Sequence, residues 1–195
     1  MEDIKLKNKL LFSCLIILIL SGPLQAISAG NTSLEYQEAE RLFARGNYSK
    51  AIIVYQSLLS LPSRDVPVSI LYTRIADSYF RLNDYQKAQE AYRLALKEQK
   101  PSECAQTQYW IGFCCFLQGK NADAVQEFLK IPLNYPASGM WVGTAYYWAG
   151  RASEHMGMKE QAAKHYRKAA GKGKSGQERF AMSKADDAMK GSSVR

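Results

Sequence analysis

The cysteines and histidines of this 195-residue chain are its most reactive side chains. Cys114 and Cys115 are adjacent within 109-YWIGFCCFLQGK-120, and Cys104 stands ten residues upstream. Thiols so placed could ligate a soft metal, exchange disulfides, or simply pack. No C-x-x-C pair is present, and neighbouring residues on a helix diverge by about 100°, so Cys114 and Cys115 are poorly placed to bridge each other. In one straight helix Cys104 and Cys114 are about 15 Å apart, too far for a bond. With Cys14 set aside in an expected signal peptide, three thiols remain, an odd number, and an intermolecular disulfide through Cys104 or Cys114 stays open.

The two histidines, His155 and His165, have no cysteine or carboxylate at metal-ligand spacing, and Glu154-His155 is not a two-histidine zinc motif. No glycine-rich phosphate loop and no serine elbow occur, and the pair Asp186-Asp187 reads as a solvated face. The reading is therefore non-enzymatic, with no catalytic residues, no metal and no cofactor.

Lys5, Lys7 and Lys9 precede the apolar run Leu10 to Leu20, and small residues around Ala26, Ser28 and Ala29 follow. That order reads as a signal peptide over residues 1–29, cleaved on export to the periplasm or beyond. A retained anchor is the alternative, although the run is shorter than the roughly 18–20 residues a spanning helix needs. Charge is uneven. Gly30 to Met158 holds 13 Lys and Arg against 12 Asp and Glu, whereas Lys159 to Arg195 holds 10 against 4. The basic end could meet an anionic envelope surface or an acidic protein, or only favour solubility. An exported chain without a recognition motif is not expected to bind nucleic acid.

Four segments superimpose and supply the elements that position these residues: 46-GNYSKAIIVYQSLL-59, 83-NDYQKAQEAYRLAL-96, 119-GKNADAVQEFLKIP-132 and 157-GMKEQAAKHYRKAA-170. In each, a turn residue precedes a small residue, and an aromatic follows four later: Ala51 and Tyr55, Ala88 and Tyr92, Ala124 and Phe128, Ala162 and Tyr166. A spacing of four puts both on one helical face. Twelve residues before each alanine stands another small residue, Ala39, Ala76, Gly112 or Gly150, which marks the first helix of a pair. Prolines Pro62, Pro67, Pro101, Pro132 and Pro136 are expected to stop helices between pairs. Cys115 shares a repeat position with Leu42 and Tyr79 and is expected to pack inside. Cys114, at the position of Arg41, Ser78 and Ala152, is expected nearer the surface.

This pattern resembles the tetratricopeptide repeat (TPR), a helix-turn-helix unit of about 34 residues with small residues near positions 8 and 20 and an aromatic near 24. The small residues here recur at 37, 36 and 38, with the excess expected in loops such as 60–67 and 132–139. The resemblance covers 33–171 and implies an all-α, right-handed superhelical solenoid of four repeats. Residues 172–195 would add a capping helix, with Phe180, Ala181, Ala185 and Ala188 on one stripe, and a basic tail. Nine helices and no strands are predicted.

The family's groove positions, carried over residue by residue, fall on the first helix of each pair. They imply Tyr36, Glu40 and Phe43 in the first unit, then Thr73, Asp77, Phe80 and Arg81. The third supplies Tyr109, Phe113, Phe116 and Leu117, and the fourth Tyr147, Arg151, Glu154 and His155. The lysine and asparagine that clamp a carboxylate in some TPR domains are absent from these sites. An aromatic groove suits a peptide or protein segment with apolar anchors. The expected function is a scaffold or adaptor of the bacterial cell envelope. It is similar in repeat and signal to periplasmic TPR proteins of outer-membrane assembly and the Tol–Pal system. An alternative is an accessory of peptidoglycan metabolism that binds glycan or an envelope enzyme, since 146–170 resembles the helical solenoid of soluble lytic transglycosylases.

Overall fold

The computed structural model describes residues 32–62 and 64–171. The expected signal peptide and the expected cap and tail over 172–195 lie outside the described residues. Among the described residues there are eight helices and no strand: α1 (32–44), α2 (Tyr48–Ser60), α3 (Val68–Arg81), α4 (Tyr85–Glu98), α5 (Cys104–Leu117), α6 (Asn121–Asn134), α7 (Gly139–His155) and α8 (Lys159–Ala170).

Each pair is closed in the same way. Gly46, Asn83, Gly119 and Gly157 have φ of 78°, 60°, 73° and 72°, the left-handed region that glycine enters freely and asparagine tolerates. With φ reversed there, the chain folds back and satisfies two carbonyls of the helix it leaves. Gly119 N–H donates to Phe116 O at 3.0 Å and Lys120 N–H to Cys115 O at 3.0 Å, and the equivalent two bonds recur after α1, α3 and α7. This is the Schellman ending, repeated at every predicted turn.

The described residues divide between two compact units, with the boundary between Pro67 and Val68. In the first, α1 and α2 bury Ala39, Ala51, Ile52, Tyr55 and Leu58. In the second, each of α3 to α8 packs on the next, and α5 also touches α7. The repeat's small and aromatic residues make this core: Ala76, Ala88, Ala124, Ala162 and Phe128, Tyr166 are fully buried, and Tyr92 nearly so. Each such ring contributes up to about 3 kcal/mol of burial. A β-carbon on Gly112 would stand 2.8 Å from the Phe128 ring, and one on Gly150 2.6 Å from that of Tyr166. These glycines are where the second helix's ring seats on the first.

Pro132 does not stop a helix. It lies inside α6, which runs on to Asn134 and ends with Tyr135 N–H donating to Ile131 O at 2.8 Å. The proline's fixed φ is compatible with the helix, and its missing N–H bond and the crowding of its ring on the Phe128 carbonyl fall only two residues before α6 ends. The extra residues of the third interval are accordingly helical in part, since α7 is 17 residues long against 14 for α5. Loop 61–67, by contrast, does carry the excess between α2 and α3.

Candidate partner-binding face

Three of the four pairs tie an acid of the first helix to the tyrosine of the second. Tyr55 Oη donates to Glu40 Oε1, Tyr92 Oη to Asp77 Oδ1 and Tyr166 Oη to Glu154 Oε2, each at 2.6 Å. Such short bonds to a carboxylate are charge-assisted. Burial raises the Asp77 carboxyl above the usual carboxylate range, in spite of hydrogen bonds from Tyr92 and Arg74 that favour its charge. Burial and the facing carboxylate push the Tyr92 and Tyr166 phenols up, so they stay protonated as donors. The third pair has no such bond to make, because Phe128 lacks the hydroxyl and Phe113 occupies the acid's position. These acids, expected as groove residues, are structural ties between the two helices of a pair.

In the first unit, Tyr36 packs its ring 6.1 Å from that of Tyr55, and Phe43 lies edge-on to Tyr48 at 5.2 Å. Both are half-buried.

The second unit gathers the larger set. Phe80 on α3 stacks on Phe113 of α5 at 6.1 Å, and Phe113 on Phe116 at 6.2 Å with planes 13° apart. Phe113 and Phe116 both meet Trp148 of α7 edge-on, at 4.7 and 5.2 Å, and Phe116 reaches His155 at 4.9 Å. Phe80, Phe113, Phe116 and Trp148 are half-buried, while His155 and Leu117 are exposed. The result is a row of half-buried rings across α3, α5 and α7.

Tyr109 sits beneath this row. It is 8% exposed, wedged against Phe113, Phe128 and Trp141, and burial pushes its phenol up to about 12. The Thr73 hydroxyl is engaged with the Ser69 carbonyl at 2.8 Å, and Arg81 is exposed. At the α7 end, Tyr147 packs on Tyr166, and Arg151 lies 5.9 Å over the Trp148 ring with its Nε 3.6 Å from Glu154 Oε2. A hydrogen bond with Tyr147 raises the Arg151 guanidinium further, so its charge is permanent there.

The tryptophans are absent from the groove set drawn from the sequence, although Trp148 joins the ring row directly and Trp110 supports Phe80 at 5.2 Å. A signal exists: Trp110 and Trp148 each stand two residues before a repeat glycine, Gly112 and Gly150. A second feature also escapes sequence reasoning. Glu127 of α6 accepts from Gln108 at 2.8 Å, Arg93 at 3.0 Å and Lys130 at 2.7 Å, joining α4, α5 and α6. Burial opposes its charge, but hydrogen bonds from Lys130, Gln108 and Arg93 hold the carboxyl below the usual range.

The cysteines face away from chemistry. Cys104, Cys114 and Cys115 are all buried and free. Cys114, expected nearer the surface, is fully enclosed because α4 and α6 flank α5 on both sides. Burial, then the neighbouring Cys115, pushes its thiol up to about 12.

Residues 73–138 match one family model described as tetratricopeptide repeat, and residues 143–171 match a second. The chain is a tetratricopeptide-repeat protein. The matched segments take in the second, third and fourth repeats, which carry the ring row. No curated protein matches the sequence. Among solved structures, a MamA protein is 22% identical over 76% of each chain, with a TM-score of 0.61. The apo form of RapI is 15% identical with a TM-score of 0.68, over 83% of this chain and 65% of RapI. The TPR-like repeats of a putative kinesin light chain from Podosopora anserina are 12% identical over 85% of this chain and 88% of theirs, with a TM-score of 0.61. At these identities the likeness is one of fold.

Proposed function

We propose that this protein is a non-catalytic scaffold that holds a segment of a partner protein against the ring row of α3, α5 and α7. One observation carries the reading: Phe80, Phe113, Phe116 and Trp148 form a continuous row of rings that stays only half-buried. Core rings close over both faces, whereas binding anchors keep one face for a partner and are ordered beforehand by their neighbours. Arg151 at one end and Asp77 at the other add charges that orient a segment lying across the row. Tyr36 and Phe43 offer a similar, smaller aromatic surface on the first unit.

The reading takes the partner to be a protein of the bacterial cell envelope, supported by the charged, apolar and small-residue order of residues 1–29, which reads as an export signal. A mature chain beginning near Gly30 in the envelope fraction is the expected mass-spectrometric result. An unprocessed chain in the cytosol would remove the envelope from the proposal.

The binding reading is tested with a photo-crosslinking residue in place of exposed Leu117, beside Phe116. Crosslinks to an envelope protein are expected from the full chain, and their loss is expected in a Phe80→Ala, Phe116→Ala variant that keeps most of its stability. Undiminished crosslinking by that variant, or a loss of capture that only tracks unfolding, sinks the idea.

A further inference from the structure

A cleft of about 560 Å³ lies between α6, α7 and α8, lined by none of the ring row's residues. Its volume falls within the range of small-ligand and side-chain pockets, roughly 300–1,000 Å³. One wall is apolar: Leu129, Pro132 and Leu133 of α6, the last 77% exposed. The opposite wall is basic, with Lys164 and Lys168 a turn apart on α8. Among the described residues neither lysine has a carboxylate partner, and Lys168 instead rests 5.2 Å over the Tyr146 ring. Between the walls lies His165, 9% exposed, stacked on Tyr146 at 6.4 Å, with a buried Nδ1 that has no hydrogen-bond partner.

We propose that this cleft is a second binding site, which takes an acidic peptide segment of a partner through an apolar side chain against Leu129 and Leu133 and carboxylates on Lys164 and Lys168. Charge complementarity selects that occupant. The chain's own residues 172–195, which follow α8 directly, carry six basic residues against three acidic ones, the wrong sign for this mouth. Apolar burial supplies affinity, and the two lysines select sign and steer the approach. The site is independent of the ring row, since none of the row's residues lines it.

The probe is a fluorescent hexapeptide alternating Leu and Glu, titrated against the full chain by anisotropy, with Leu/Gln and Ala/Glu hexapeptides as controls. Binding of the Leu/Glu peptide is expected, with each control at least tenfold weaker. A Lys164→Gln, Lys168→Gln variant, whose exposed positions leave the core untouched, should lose at least tenfold with an unchanged circular dichroism spectrum. Leu133→Ser should weaken binding without changing its salt dependence, and Phe80→Ala, Phe116→Ala should bind as the parent does. No binding, equal binding of Leu/Gln, or indifference to the lysine pair would overturn the proposal. So would a zero-length crosslink from Lys164 or Lys168 to Asp186 or Asp187 in the isolated monomer, which makes the tail the occupant. Dissociation of a dimer by the lysine substitutions would equally overturn it, assigning the cleft to a second copy.

Discussion

The Tyr92 hydroxyl donates a 2.6 Å hydrogen bond to Asp77 Oδ1, joining the ring that fills a repeat's core to an acid on the repeat's first helix. Removing the hydroxyl leaves a partly buried carboxylate with the 3.6 Å contact of Arg74 as its remaining ion pair. Tyr92→Phe is expected to cost about 1–2 kcal/mol in denaturant unfolding at pH 7. The cost should shrink in acid. The folded Asp77 carboxyl titrates above its ordinary value, so between the two values the folded state binds the extra proton. Stability tied to this group therefore rises as pH falls through the folded value, and the protonated acid needs the tyrosine less. The converse change, Phe128→Tyr, places a hydroxyl in a fully buried site of the one pair whose position matching Glu40 and Asp77 holds Phe113, and should destabilise by about 1–3 kcal/mol. A neutral Tyr92→Phe would show that the tie is solvated in solution.

Gly112→Ala and Gly150→Ala set two effects against each other. Replacing glycine in a helix interior gains up to about 1 kcal/mol. The added carbon would meet the rings of Phe128 and Tyr166 at 2.8 and 2.6 Å, and overpacking costs about 1–3 kcal/mol. Packing is expected to win, lowering the thermal midpoint in both variants. Phe128→Leu, by making room, should reverse most of the Gly112→Ala loss. A midpoint raised by either alanine would mean that the helices separate freely.

The thiols should be inert in the folded protein. With Cys114 pushed up to about 12, its thiolate fraction at pH 8 is on the order of one in ten thousand. Cys115 is raised by burial and accepts a hydrogen bond from Gln89 Nε2 at 2.8 Å, and burial also raises Cys104. Slow modification by a disulfide reagent is expected at all three until denaturant is added. Rapid native labelling of Cys114 or Cys115 contradicts the enclosed position of α5.

The repeat itself was legible in the sequence, because helix period and turn chemistry are local. Alanine and aromatic four apart define a face, and Gly46, Asn83, Gly119 and Gly157 stand where only a left-handed residue closes the hairpin. Local rules also misled once. Pro132 reads as a breaker, yet α6 runs through it to Asn134.

Tertiary structure decided what each side chain became. Tyr109 and Phe113 are four apart on one helix, but the packing of Phe128 and Trp141 encloses the first and leaves the second half open. Cys114 is enclosed by neighbouring helices, and the tyrosine-acid ties join residues 12 or 15 apart across a turn. Exposure depends on what the adjacent helices place over a residue, and that is a property of the stack of helices, which no single helix carries in its own sequence.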